Sequence, residues 1–206
     1  MSSTATVHRH LRILKRRDPH IARGTAEAGL PRARRWEPGY GTLVRIIIDQ
    51  QVSTAAGRAI WAKLERAAGG AVTSAAVAAL TEPALRAAGL SSQKARYIQG
   101  LTDAVETGTL DLAAVNRADD DTVRERLTAL KGIGPWSADI YLMFGLGRPD
   151  IWPVGDLGLQ HGARLLLNLR TRPNPKRLDR LGESWRPYRS SAALFLWHYY
   201  GFRTAR

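Results

Sequence analysis

Hydrophobic and polar positions along this chain fall in a helical rhythm rather than a strand rhythm. The densest β-branched stretch, Val44 to Ile48, runs on into Asp49-Gln50-Gln51-Val52-Ser53 with no turn signal. Helical spacing suits it better: Leu43, Ile47 and Gln51 share one stripe, with Ile46 and Gln50 on the next. Asp18-Pro19 predicts a helix start, since Asp caps free N–H groups and Pro suits the first turn. Gly29 or Pro31 ends that helix, and a basic connector runs from Arg32 to Gly41. A long helix is predicted from Thr42 to Ala68, stopped by Gly69-Gly70. Short Ala-rich helices are expected at Ser74–Leu80 and Glu82–Ala88, then one capped by Ser91-Ser92 that carries Gln93, Lys94, Arg96 and Ile98. Val123, Leu127 and Leu130 mark a helix over Asp119–Leu130, and Trp136, Ile140, Met143 and Phe144 mark one over Pro135–Leu146. Gly147–Gly155 reads as a loop, Asp156–Leu169 as a helix, the region around Pro173 as a turn, and Tyr188–Tyr200 as the closing helix. The pattern predicts an all-α fold.

Composition changes this picture in two ways. The 206 residues hold 31 Lys and Arg against 18 Asp and Glu, a formal charge of +13, with a pI near 10.9. A balance this basic favours a polyanionic partner if the charge gathers on one face; the alternative is an Arg-rich surface of no functional meaning. The chain has no cysteine, which excludes an iron–sulfur cluster, a zinc–thiolate site and a thiol nucleophile. With 44% hydrophobic residues the composition is that of a globular protein. The N-terminus carries charge but no apolar signal core, and no stretch reaches the roughly 18 apolar residues of a spanning helix. A soluble, cytoplasmic monomer with no membrane contact is expected.

Chemistry concentrates between Leu130 and Gln160. Leu130-Lys131-Gly132-Ile133-Gly134-Pro135 joins two helices too closely for an ordinary loop. Gly132 and Gly134 let the backbone approach another molecule, and Ile133 is expected to tuck between the helices. Such a hairpin presents N–H groups that hold a phosphate without reading its base. A plain interhelical turn would look the same in isolation.

The residues beyond the hairpin make the segment specific. The hairpin, the Gly/Pro loop Gly145–Gly155 with Pro149 and Pro153, and Asp156 resemble the helix-hairpin-helix, Gly/Pro–Asp signature of the base-excision DNA glycosylases. The similarity is closest to the alkylated-base branch, the DNA-3-methyladenine glycosylase II enzymes. Further motifs stand in order: Ile47-Ile48-Asp49-Gln50-Gln51-Val52-Ser53, Gly89 to Ile98, and Trp185-Arg186-Pro187-Tyr188-Arg189-Ser190 with Trp197. The resemblance implies a compact multi-helix fold with a helix-hairpin-helix motif, in two lobes flanking a cleft. Residues 18–206 would form the glycosylase body, with hairpin and catalytic Asp in 119–169. The first and last segments would complete one lobe, and Gly41 to Gly182 would hold hairpin and Asp together. For the basic runs of residues 1–17, and for Arg32-Ala33-Arg34-Arg35, two readings stand: added non-specific attraction to DNA, or a solvated, partly flexible tail.

The resemblance also implies roles. Asp156 matches the catalytic Asp, placed to stabilise positive charge on a deoxyribose and to activate water; as a residue it is equally suited to cap a helix. Asp139 and Asp150 are expected to be structural. Trp136 stands where lyase-competent members carry a Lys, and an indole cannot form a Schiff base, so a monofunctional enzyme is implied. Trp136, Trp197, Gln50 and Ile140 match base-binding positions; Ile140 replaces a frequent Tyr. Gln51 matches the wedge that fills the gap left by a flipped nucleotide. Lys94, Lys131, Ser137 and Arg189, with Gly132, Ile133 and Gly134 of the hairpin, are candidate DNA contacts. No dissociable cofactor is implied; hairpin carbonyls near Gly132 and Gly134 could hold a monovalent cation. The expected partner is duplex DNA containing damaged bases, and the expected reaction is release of alkylated purines such as 3-methyladenine or 7-methylguanine. The alternatives are a non-catalytic DNA-binding helix-hairpin-helix protein, or a glycosylase for hypoxanthine or ethenoadenine.

Overall fold

The computed structural model describes residues 3–205. Met1, Ser2 and Arg206, the outermost residues of the expected 1–17 segment and 18–206 body, lie outside them. Among the described residues there are thirteen α-helices and no strand, in keeping with the periodicity. None is long and apolar enough to cross a membrane.

The helices are α1 (Thr4–Arg17), α2 (Pro19–Ala28), α3 (Tyr40–Asp49), α4 (Thr54–Ala67), α5 (Ser74–Ala78), α6 (Glu82–Ala87) and α7 (Ser92–Glu106). Then come α8 (Leu112–Arg117), α9 (Asp120–Thr128), α10 (Pro135–Ile140), α11 (Leu157–Leu166), α12 (Pro175–Gly182) and α13 (Arg189–Thr204). A π-helical turn, Tyr141–Gly145, continues α10, and a short 3-10 turn, Glu183–Trp185, comes after α12. The chain divides into two compact units: Met1–Arg35 with Leu142–Arg206, and Trp36–Tyr141. The first unit joins the two ends of the chain. However, the unit holding the hairpin ends at Tyr141, so the expected Gly41–Gly182 lobe is replaced by a division that assigns Asp156 to the terminal unit.

In the terminal unit, α11 packs along α13, and α1 and α2 pack on each other and on α13. The tail reading of residues 1–17 does not hold for the described part. Ser3 caps α1, and Val7, Leu11 and Leu14 are fully buried at helical spacing, which makes α1 part of the core. His10 on the same face bonds Ser191 Oγ through Nδ1 at 3.0 Å and stacks on Tyr188 at 4.3 Å. Asp18 caps α2 as predicted: its Oδ1 accepts from the His20 and Ile21 N–H groups. Its Oδ2 accepts from Trp185 Nε1 at 2.7 Å, tying that cap to the distant C-terminal segment.

In the central unit, Leu43, Val44, Ile46, Ile47 and Ile48 of α3 are buried, with α4 and α7 packed against the helix. Here the predicted long helix fails. α3 stops at Asp49, Gln50 is extended (φ −59, ψ 126), and Gln51 takes a left-handed φ of 53. The Lys94 ammonium donates to the Ile48 and Gln50 carbonyls at 2.6 and 2.7 Å, satisfying acceptors that a continued helix would have used. Ser53 then caps α4 through the Ala56 N–H. Burial lowers the pKa of Lys94, with Asp49 pulling the other way.

Candidate active site

The candidate residues divide between the units. In the central unit the hairpin is a tight turn. The Ile133 N–H donates to Leu130 O at 3.1 Å, and the Ile133 side chain is buried. Gly132 has φ +94, and a Cβ there would collide with the Tyr97 ring, so this position requires glycine on two counts. Gly134 and Lys131 are exposed, and Pro135 opens α10. Gln50, partly buried, donates from Nε2 to Gly132 O at 2.8 Å and to Ser137 Oγ at 3.0 Å.

These bonds change three assignments. Gln50 braces the hairpin, and its amide donor is committed there rather than to a base. Ser137 is 2% exposed, so its hydroxyl is a buried partner of Gln50 and not a phosphate contact. Lys94, expected on a phosphate, instead clamps the Gln50–Gln51 bend. Ile140 is 5% exposed and belongs to the core. Trp136 is half-buried at the start of α10, while Gln51 is exposed at the bend. Asp139, structural as expected, accepts from Arg124 Nε at 2.9 Å.

The two hairpin carbonyls already accept one hydrogen bond each, Gly132 O from Gln50 and Gly134 O from the Ala138 N–H. Among the described residues there is also no cluster of His, Asp or Glu that could hold a metal ion.

In the terminal unit, Asp156 is the N-cap of α11. Its Oδ1 accepts from the Leu159 N–H at 2.6 Å and from Trp197 Nε1 at 2.8 Å. The capping role open to Asp156 is therefore filled, and the cap bond and the indole bond fix the same oxygen. Gly158 permits this approach, since a Cβ there would stand 3.2 Å from both Asp156 Oδ1 and Trp197 Cδ1. Trp197, half-buried on α13, lies beside Phe144 with rings 6.0 Å apart.

The Gly/Pro loop that delivers Asp156 is held by the C-terminal motif. Arg189 donates from Nε to Asp150 Oδ1 at 2.9 Å and from Nη2 to Asp150 Oδ2 and O at 3.0 Å. Arg186 adds a bond to Asp150 Oδ2 at 2.8 Å. Ser190 Oγ accepts from the Ile151 N–H and donates to Arg148 O. Trp152 is buried against Trp185 and donates to Leu178 O. Arg189, expected to touch phosphate, is 8% exposed and committed to Asp150; its place is to position the loop. Sequence spacing carries no sign of this, because the partners stand 39 residues apart.

Residues 44–187 match the HhH-GPD superfamily of base excision DNA repair proteins. The chain belongs to that superfamily. Among HhH-GPD relatives, a putative DNA-3-methyladenine glycosylase of Bacillus subtilis, YfjP, is 35% identical over 59% of this chain and 42% of its own length. The DNA-3-methyladenine glycosylase 1 of Schizosaccharomyces pombe is 29% identical over 77% of this chain and 71% of its own. A structure of that yeast enzyme, Mag1, in complex with abasic DNA superposes with a TM-score of 0.85, at 28% identity, covering 92% of this chain and 95% of that one. A DNA-3-methyladenine glycosidase from Bacillus halodurans gives a TM-score of 0.78 at 36% identity, covering 96% and 91%. The chain thus spans under half the length of the B. subtilis protein and most of the yeast one.

Proposed function

We propose that this HhH-GPD protein is a monofunctional DNA glycosylase that hydrolyses the N-glycosidic bond of alkylated purines such as 3-methyladenine and 7-methylguanine. The observation that carries the proposal is the Asp156 carboxylate, one oxygen of which is fixed by the Leu159 N–H and the Trp197 indole. As the base departs, positive charge builds at C1′ of the sugar. A carboxylate already oriented by two donors stabilises that charge without reorganising, and it can orient or deprotonate the attacking water. The names of the relatives point to the same lesion class.

The other roles belong to the same reading. Trp197, bonded to the carboxylate, offers a ring face to a cationic purine, a contact worth about 0.5–2 kcal/mol. Trp136 is assigned the same kind of contact by its motif position, and its indole supplies no amine for strand cleavage. The hairpin backbone from Gly132 to Gly134, with exposed Lys131, takes a phosphate. Exposed Gln51, at its left-handed bend, enters the gap left by the flipped nucleotide. A charged leaving base needs little acid assistance, so none is invoked.

Asp156→Asn keeps an oxygen for the helix cap and removes the charge. Base release from methylated duplex DNA is expected to fall about 10²-fold or more, while affinity for the same duplex is unchanged. If wild-type protein frees no methylated purine across a lesion panel that includes hypoxanthine and ethenoadenine, a DNA-binding protein without catalysis replaces the enzyme.

A further inference from the structure

The net charge of the chain is carried by one unit. The segments Met1–Arg35 and Leu142–Arg206 contain 20 Lys and Arg against 6 Asp and Glu, a formal +14. Trp36–Tyr141, which contains the hairpin, has 11 against 12, a formal −1. The motif expected to hold DNA phosphate therefore sits on a unit with almost no electrostatic attraction of its own.

Within the terminal unit the cations are ordered, not scattered. α1 contains no acidic residue. Its buried face carries Val7, Leu11 and Leu14, and its exposed face carries Arg9, Arg12 and Arg16 at i, i+3 and i+7. The segment after α2 is fastened beside this helix: the Ala33 N–H donates to Thr4 Oγ1 at 3.1 Å, and His8 Nε2 pairs with Pro31 O at 3.0 Å. That brings Arg32, Arg34 and Arg35 to the N-terminal half of α1. Among the described residues, none of these six arginines has a carboxylate partner; ion pairs of this unit, such as Arg23–Glu27, Arg186–Asp150, Arg189–Asp150 and Arg203–Glu27, lie elsewhere.

We infer that the exposed face of α1, together with Arg32–Arg35, is a sequence-independent docking surface for the phosphate backbone of duplex DNA, and that it supplies most of the protein's affinity for undamaged DNA. A row of arginines along a rigid helix is matched to a linear polyanion, because each phosphate neutralised releases a counterion. The inference rests on the proposed glycosylase reading only in its choice of DNA as the polyanion. It adds a search function: a protein held loosely on intact duplex can slide toward rare lesions.

The test is the salt dependence of binding to an undamaged duplex, compared between two variants that lose equal charge. R12Q/R16Q/R34Q/R35Q removes four of the six; K63Q/R66Q/R117Q/R126Q removes four cations from the central unit. The first is expected to flatten the slope of log Kobs against log salt by about 0.9 for each phosphate no longer neutralised, about 2 to 4 in all. The second is expected to change it by less than about 1. Should circular dichroism show that the α1 changes unfold the helix, R34Q/R35Q, outside any helix, is expected to flatten the slope by about 1 to 2. Equal effects in the two quadruple variants, or an unchanged slope in the first, overturn the inference. So does a larger fall in binding to phosphatidylserine vesicles than to duplex. Base release at saturating enzyme is read separately and is expected to match wild type; its absence in wild type would strike the glycosylase reading and leave the slope measurement standing.

Discussion

One carboxylate oxygen, Asp156 Oδ1, receives both a helix-capping N–H and an indole N–H. The first donor belongs to its own turn and is legible from an Asp that precedes a helix. The second comes from Trp197, 41 residues away, and no local pattern announces it. Trp197→Phe keeps a ring and deletes the donor. Base release is expected to fall roughly 10- to 100-fold, the worth of one hydrogen bond to a charged group, with DNA affinity unchanged by fluorescence anisotropy. His10 supplies a prediction about pH. Burial is the main cause that lowers its pKa below 6.5, with Arg9 adding to it. The folded state therefore prefers the neutral ring, and below pH 6.5 the unfolded chain binds more protons. Stability is full above 6.5 and declines as pH falls from there toward the lowered folded value. Urea unfolding at pH 7.5 and 5.5 is expected to show this decline in wild type and a smaller one in His10→Asn.

Most of the helix inventory can be read in the sequence, because caps and hydrophobic spacing are local properties. Asp18, Ser91 and Asp119 cap helices at the predicted places. Helices α1, α8 and α12 go unpredicted although each has a local cap, whereas two other misses share a cause: a distant side chain decides what the local pattern does not. The apolar stripe through Val44–Ile48 continues in sequence to Gln51, but Lys94 takes the carbonyls that would carry the helix onward. The Trp185–Ser190 stretch is readable as a motif but not as a clasp on the loop before Asp156. Arg189→Met tests that clasp. It leaves the Asp150 carboxylate with Arg186 as its arginine, and unfolding free energy is expected to drop by about 3 kcal/mol. Base release should drop with it, since the loop sets the Asp156 position.

For the whole molecule, net charge can be counted from the sequence but not located. It becomes informative only once the chain is divided, because the basic segments lie at opposite ends of the sequence and the near-neutral segment lies between them. For the same reason the hairpin and Asp156, 22 positions apart between Gly134 and Asp156, read as one lobe and fall in two units. Adjacency in sequence is a fair guide to adjacency in a helix, and a poor one where the backbone leaves one compact body for the next.

The discontinuous unit also sets an order of events at the ribosome. Trp36–Tyr141 is complete as soon as Tyr141 has emerged, whereas the unit that begins with α1 must wait for α13. Until α13 arrives, α1 has α2 beside it but lacks its second helical neighbour, and Asp156 lacks its indole donor. Domains tend to fold as units during synthesis, so a nascent chain would form the hairpin and its Gln50 brace well before the Asp156 carboxylate is held by its indole partner, and a polypeptide truncated before α13 would have the first without the second.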